Sequence, residues 1–147
     1  MSELMTATHN FGTAPTRGTS TADTFKAALY LTTATVNAST TAYSSTNEVS
    51  GTGYTAGGVT VTNATAPTST NSSATAGTAY WTPSASITYT TVTLTTAFDC
   101  VLIYNSSQSN KAVSVHTFGS QTVTAGTFTL TMPANTTSTA LLRLATT

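Results

Sequence analysis

In five stretches threonine falls on every second residue with an apolar or aromatic side chain between: Thr60-Val61-Thr62, Thr88-Tyr89-Thr90, Thr91-Val92-Thr93-Leu94-Thr95, Thr122-Val123-Thr124 and Thr127-Phe128-Thr129-Leu130-Thr131. A period of two belongs to a strand with one face in a core and the other in water. Threonine is the outward residue that suits such a pleated surface. No stretch of the chain carries a convincing helical periodicity, so the pattern predicts an all-β protein.

The rest of the chain fills in this picture. Residues 1–22 hold Gly12, Pro15 and Gly18 among Thr, Ser and Ala without periodicity, and read as an extended N-terminal arm. From Asp23 onward Phe25, Ala27, Leu29 and Leu31 alternate with their neighbours as a first core strand, and residues 23–147 form one domain. Residues 33–50 have room for a short helix. Gly51, Gly53, Gly57 and Gly58 supply a tight loop with access to positive φ, followed by a strand at 59–62. Residues 65–77 read as a surface loop, and 79–82 as a short strand ending at Pro83.

In residues 86–95 the apolar set changes parity between Ile87 and Tyr89 on one side and Val92 and Leu94 on the other, which calls for a bulge near Thr90-Thr91. Both parities of residues 98–104 are apolar, as in a central strand covered on two faces. Residues 105–111 form its hairpin loop, and Val113 and Val115 point inward from the next strand, leaving Ser114 and His116 on the polar face. Phe128, Leu130 and Met132 are the inward set of a further strand, and 140–145 the last one. About eight strands in this length predict a single two-layer β-sandwich, immunoglobulin-like or jelly-roll.

Composition narrows the function classes. Asp, Glu, Lys and Arg make up only 5% of the 147 residues and the formal net charge is zero, against roughly 25% charged residues in an ordinary soluble domain. The vacated space goes largely to 40 Thr and 17 Ser. A surface without charge does little to keep copies apart, and points to a protein that sits against other proteins. The four cations Arg17, Lys26, Lys111 and Arg143 are scattered, so no basic patch is expected to bind nucleic acid. The longest apolar run, residues 100–104, is far short of the roughly 20 residues of a membrane helix, and the first residues resemble no secretion signal. Five Asn-x-Ser/Thr triplets, at Asn37, Asn63, Asn71, Asn105 and Asn135, are largely what chance produces in so hydroxyl-rich a chain.

None of the reactive side chains forms a recognisable constellation. Glu3, Asp23, Glu48 and Asp99 are too dispersed for a sequence-local metal loop, and no His or Cys cluster joins them. His116 and His9 lack an orienting partner. The lone Cys100 reads as a buried small hydrophobe, and the glycine run lacks the Gly-Lys-Ser/Thr ending of a phosphate loop. No catalytic, cofactor-binding or metal residues are assigned, no cofactor is expected, and the chain is read as a non-enzyme. The threonine triplets resemble the arrays of β-solenoid ice-binding proteins, but their irregular intervals do not stack in register.

Three segments carry a resemblance: Asp23-Thr24-Phe25-Lys26-Ala27-Ala28-Leu29-Tyr30; Thr46-Asn47-Glu48-Val49-Ser50-Gly51-Thr52-Gly53-Tyr54-Thr55-Ala56-Gly57-Gly58; and Leu102-Ile103-Tyr104-Asn105 with Lys111-Ala112-Val113 and Phe118-Gly119. Together they resemble small structural proteins of tailed bacteriophages, over residues 23–145. The resemblance implies a virion protein made in the host cytoplasm. The leading expectation is a decoration or cement protein on the outside of the head, bound to the major capsid protein and present as a homo-oligomer, with a trimer favoured. The alternatives are a tail or neck component, and a carbohydrate- or receptor-binding module using Tyr54, Tyr80, Trp81 and Tyr89.

Overall fold

The computed structural model describes His9 and residues 22–63, 67–70 and 77–145. Among these the chain is all-β, with no helix. Seven strands follow in order: β1 Phe25–Leu31, β2 Val59–Thr60, β3 Thr68–Ser69, β4 Thr78–Trp81, β5 Ile87–Asn105, β6 Lys111–Leu130 and β7 Leu142–Ala145. They form two antiparallel sheets, β2-β1-β5-β6 and β3-β4-β7.

The sheets share one core. Phe25, Ala27 and Leu29 of β1, Val101 and Ile103 of β5 and Trp81 of β4 belong to a single buried cluster, against which Leu142 of β7 packs. The opposite face of the larger sheet is also covered. Ala28, Tyr30, Cys100, Leu102 and Tyr104 form a second cluster beneath Ala34, Val36 and Tyr43 of the loop after β1. Residues 98–104 therefore lie in a central strand apolar on both faces, as their composition predicts. The loop that covers them holds turns and isolated bridges, Tyr30↔Glu48 and Ala42↔Lys111, in place of the short helix for which residues 33–50 had room.

The dominant element is the β5–β6 hairpin. The sequence breaks each of its arms into two strands, whereas both run continuously and absorb the parity changes as bulges. The ladder passes from Tyr89↔Phe128 to Val92↔Gly126, three residues against two, with Thr91 at φ 53°. This is the bulge expected at Thr90-Thr91. A second bulge corrects a face assignment. The step from Ile103↔Ser114 to Tyr104↔Ala112 leaves Val113 without an opposite residue, so Val113 enters the first cluster while Val115 packs on the second. The two valines point to opposite faces, and His116 lies opposite Val101 on the side of the first cluster. A further correction falls in residues 65–77, read as loop, where Thr68–Ser69 pair with β4.

The glycine loop folds tightly against the sheet. Gly53, Gly57 and Gly58 have positive φ, and a Cβ on Gly58 would stand 1.7 Å from the Ala27 carbonyl oxygen. Only a residue without a side chain lets the loop cross β1 so closely.

Candidate functional site

The loop of residues 46–58 is organised around one carboxylate. Glu48 Oε2 accepts a hydrogen bond from the Tyr43 hydroxyl at 2.6 Å, while Oε1 accepts from the Tyr54 hydroxyl at 2.7 Å and from the Gly57 N–H at 2.7 Å. The Tyr54 oxygen in turn accepts from the Leu29 N–H at 3.0 Å. Tyr104 donates to the Gly57 carbonyl at 2.9 Å and stacks on Tyr43 with ring centroids 4.7 Å apart. Burial, followed by the neighbouring carboxylate, pushes the Tyr54 and Tyr43 phenols well above their ordinary range. With three donors converging on it, Glu48 acts as a clasp that ties the loop to β1 and β5.

A second cluster fastens the segment before β1 to the hairpin turn. The Asn105 amide, fully buried, donates to Asp23 Oδ2 at 2.7 Å and lies 3.0 Å from His9 Nδ1. Gln108 donates to Asp23 Oδ1 at 3.2 Å. The His9 ring packs on Phe25 at 6.1 Å. Cys100 is buried, and burial and then Asp99 push its thiol up to about 11, so it is inert at neutral pH. Among the described residues no three His, Cys, Asp or Glu side chains gather in metal-binding range. Glu3 and Arg17 lie outside the described residues, as does most of the 1–22 arm.

The four aromatics considered for sugar binding are placed differently from one another. Trp81 and Tyr89 are buried, the former donating from Nε1 to Asn63 Oδ1 at 2.9 Å and the latter to the Ala27 carbonyl at 2.8 Å. Tyr54 belongs to the Glu48 clasp, and Tyr80 is half-buried on β4. They offer no common exposed platform.

A groove of about 710 Å3 lies between β6 and the C-terminal strand, bordered by Val36, Ala112, Val115, Leu141, Leu142 and Arg143. Ser114 and His116, also on its wall, share a hydrogen bond of 2.9 Å between Oγ and Nε2. Burial pulls the His116 imidazole below its ordinary value, which keeps it neutral and able to accept. No carboxylate orients it among the described residues, so the pair lacks the third member of a hydrolytic triad. Arg143 donates to the Thr137 and Ser138 carbonyls at 3.0 and 2.7 Å. The groove thus combines apolar walls, one cation and the borders of two strands, a chemistry suited to holding an extended chain. No local pattern signals it, because its walls come from residues more than 100 positions apart. No family model matches the chain, and comparisons with curated proteins and with solved structures find no match.

Proposed function

We propose that the chain is a non-enzymatic structural protein of a tailed-phage virion: a decoration or cement protein that binds the major capsid protein on the outside of the head as a homo-oligomer. In this reading the two sheets form a two-layer sandwich of immunoglobulin-like or jelly-roll type, and residues 1–22 form an arm that adds to the contact.

The observation that carries the proposal is the outer surface of the β5–β6 hairpin. Thr88, Thr90, Thr95, Thr122, Thr124, Thr127 and Thr129 are all exposed, and β6 has no Asp, Glu, Lys or Arg after Lys111. Such a surface costs little to desolvate compared with ionised side chains and offers close-packing hydroxyls to a protein partner. Many weak copies on a symmetric shell then add by multivalency.

Locating the protein in a virion density map, with its copy number from quantitative mass spectrometry, tests the proposal. Many copies on the outer head surface are expected; density in the tail or neck selects that alternative, and absence from particles rejects the virion reading. The carbohydrate alternative is disfavoured by the burial of Trp81 and Tyr89, and saturable binding on a glycan array would revive it.

A further inference from the structure

The groove beside β6 adjoins a second, smaller pocket. His116, Thr117 and Leu141 border both, so these three residues form a neck between the groove and a pocket of about 230 Å3. Ile87, Val101, Ile103, Leu130 and Met132 line that pocket, and the first three are buried core side chains. Thr129 and Thr131, both exposed, stand at its rim. Polarity is therefore graded across the two cavities: the inner one is apolar, the neck carries one imidazole, and the wide outer groove carries the Arg143 cation.

We propose that the two cavities together bind a free monocarboxylate with a linear alkyl chain, the chain in the inner pocket and the carboxylate at Arg143. The groove, at about 710 Å3, falls within the roughly 300–1,000 Å3 of small-molecule sites. Arg143 is a prepared handle for an anion. Its Nη1 donates to the Thr137 and Ser138 carbonyls at 3.0 and 2.7 Å, and among the described residues nothing engages Nη2 or Nε. The guanidinium is held by bonds that leave its two-donor edge for a carboxylate, the planar fork that suits bidentate pairing.

The neck and the inner pocket favour an alkyl chain over a polypeptide. His116 commits Nε2 to Ser114, and burial keeps its ring uncharged, so an apolar chain passes no ion on its way inward. A peptide backbone threaded against Ile87, Val101 and Ile103 would bury N–H and C=O groups beside side chains that can neither donate nor accept. An alkyl chain carries no such groups, and each methylene it removes from water strengthens binding roughly fourfold. The site lies within one copy of the chain and does not depend on where the protein sits in a particle.

Isothermal titration of the full-length protein with decanoate, at neutral pH and below its micelle concentration, tests the site. Saturable one-to-one binding with a dissociation constant on the order of 10–100 µM is expected, and no saturable heat up to about 1 mM overturns the proposal. Octanoate is expected to bind about tenfold more weakly for its two missing methylenes, and decanol about tenfold more weakly for want of a charge; equal affinities for decanoate and decanol overturn the anionic head. Arg143→Gln is expected to lower decanoate to the level of decanol, and an unchanged affinity overturns the assigned handle. Thr117→Phe, at an exposed position on the neck, is expected to cut binding by about tenfold or more. Thr131→Phe at the pocket rim replaces it if Thr117→Phe lowers the thermal transition. Decanoate binding that survives both variants lies elsewhere on the protein and overturns the proposal, as does an acidic, leucine-rich peptide that binds where decanoate fails.

Discussion

At the scale of single residues, burial acts most visibly on the phenols and on one imidazole. Tyr30, whose hydroxyl donates to the Ser44 carbonyl, is pushed from 10.0 up to about 12, chiefly by burial. The folded protein thus holds this proton more tightly than the unfolded chain does, and the associated stability is complete below pH 10 and lost as pH rises toward 12. His116 behaves in the opposite sense. Its folded value is lowered from 6.5, so its contribution is present above pH 6.5 and lost as pH falls. Urea denaturation across pH is expected to give greatest stability between these limits, and a flat profile from pH 5 to 11 would contradict both assignments. The Glu48 clasp makes a sharper prediction. Glu48→Gln keeps the shape but sets an amide NH2 against groups that already donate, for an expected loss of about 1.5–3 kcal/mol. A loss under about 0.5 kcal/mol, the range of ordinary surface substitutions, would show that the clasp does not hold the loop.

At the scale of elements, the β5–β6 hairpin divides cleanly into faces. Leu102 is fully buried in the second cluster. Phe128 meets Phe98 edge-on at 5.0 Å and Phe118 at 5.5 Å, while Thr129 is exposed between its neighbours. Replacing Leu102 or Phe128 by Ala is expected to cost about 2–5 kcal/mol, and replacing Thr129 by Ala less than about 0.5 kcal/mol. Chemical denaturation of the three variants checks the order, and equal losses would mean that the faces are wrongly assigned. The bulge at Thr90-Thr91 was legible because an apolar set that switches parity within one strand demands an extra residue. The bulge at Val113 was not. Val113 and Val115 keep the same parity, and only the pairing with Tyr104 and Ile103 reveals that one residue stands unopposed.

At the scale of the whole molecule, the prediction concerns association. Light scattering at micromolar concentration is expected to report a closed oligomer, a trimer in the first instance, matched by clustered copies on virions; a monodisperse monomer that also sits on particles as isolated copies would refute it. What the sequence determined alone was local: the threonine alternation imposed β-structure, apolar residues at both parities imposed a doubly covered central strand, and the glycines imposed a close crossing, because each is a matter of period or of side-chain volume. Tertiary structure decided the rest. It set three donors around Glu48, separated Val113 from Val115, paired Thr68 and Ser69 with β4, and brought β6 alongside residues 140–145 to open a groove. These outcomes depend on register and on contacts between residues distant in the chain, which a one-residue shift in pairing would reverse without altering any local pattern.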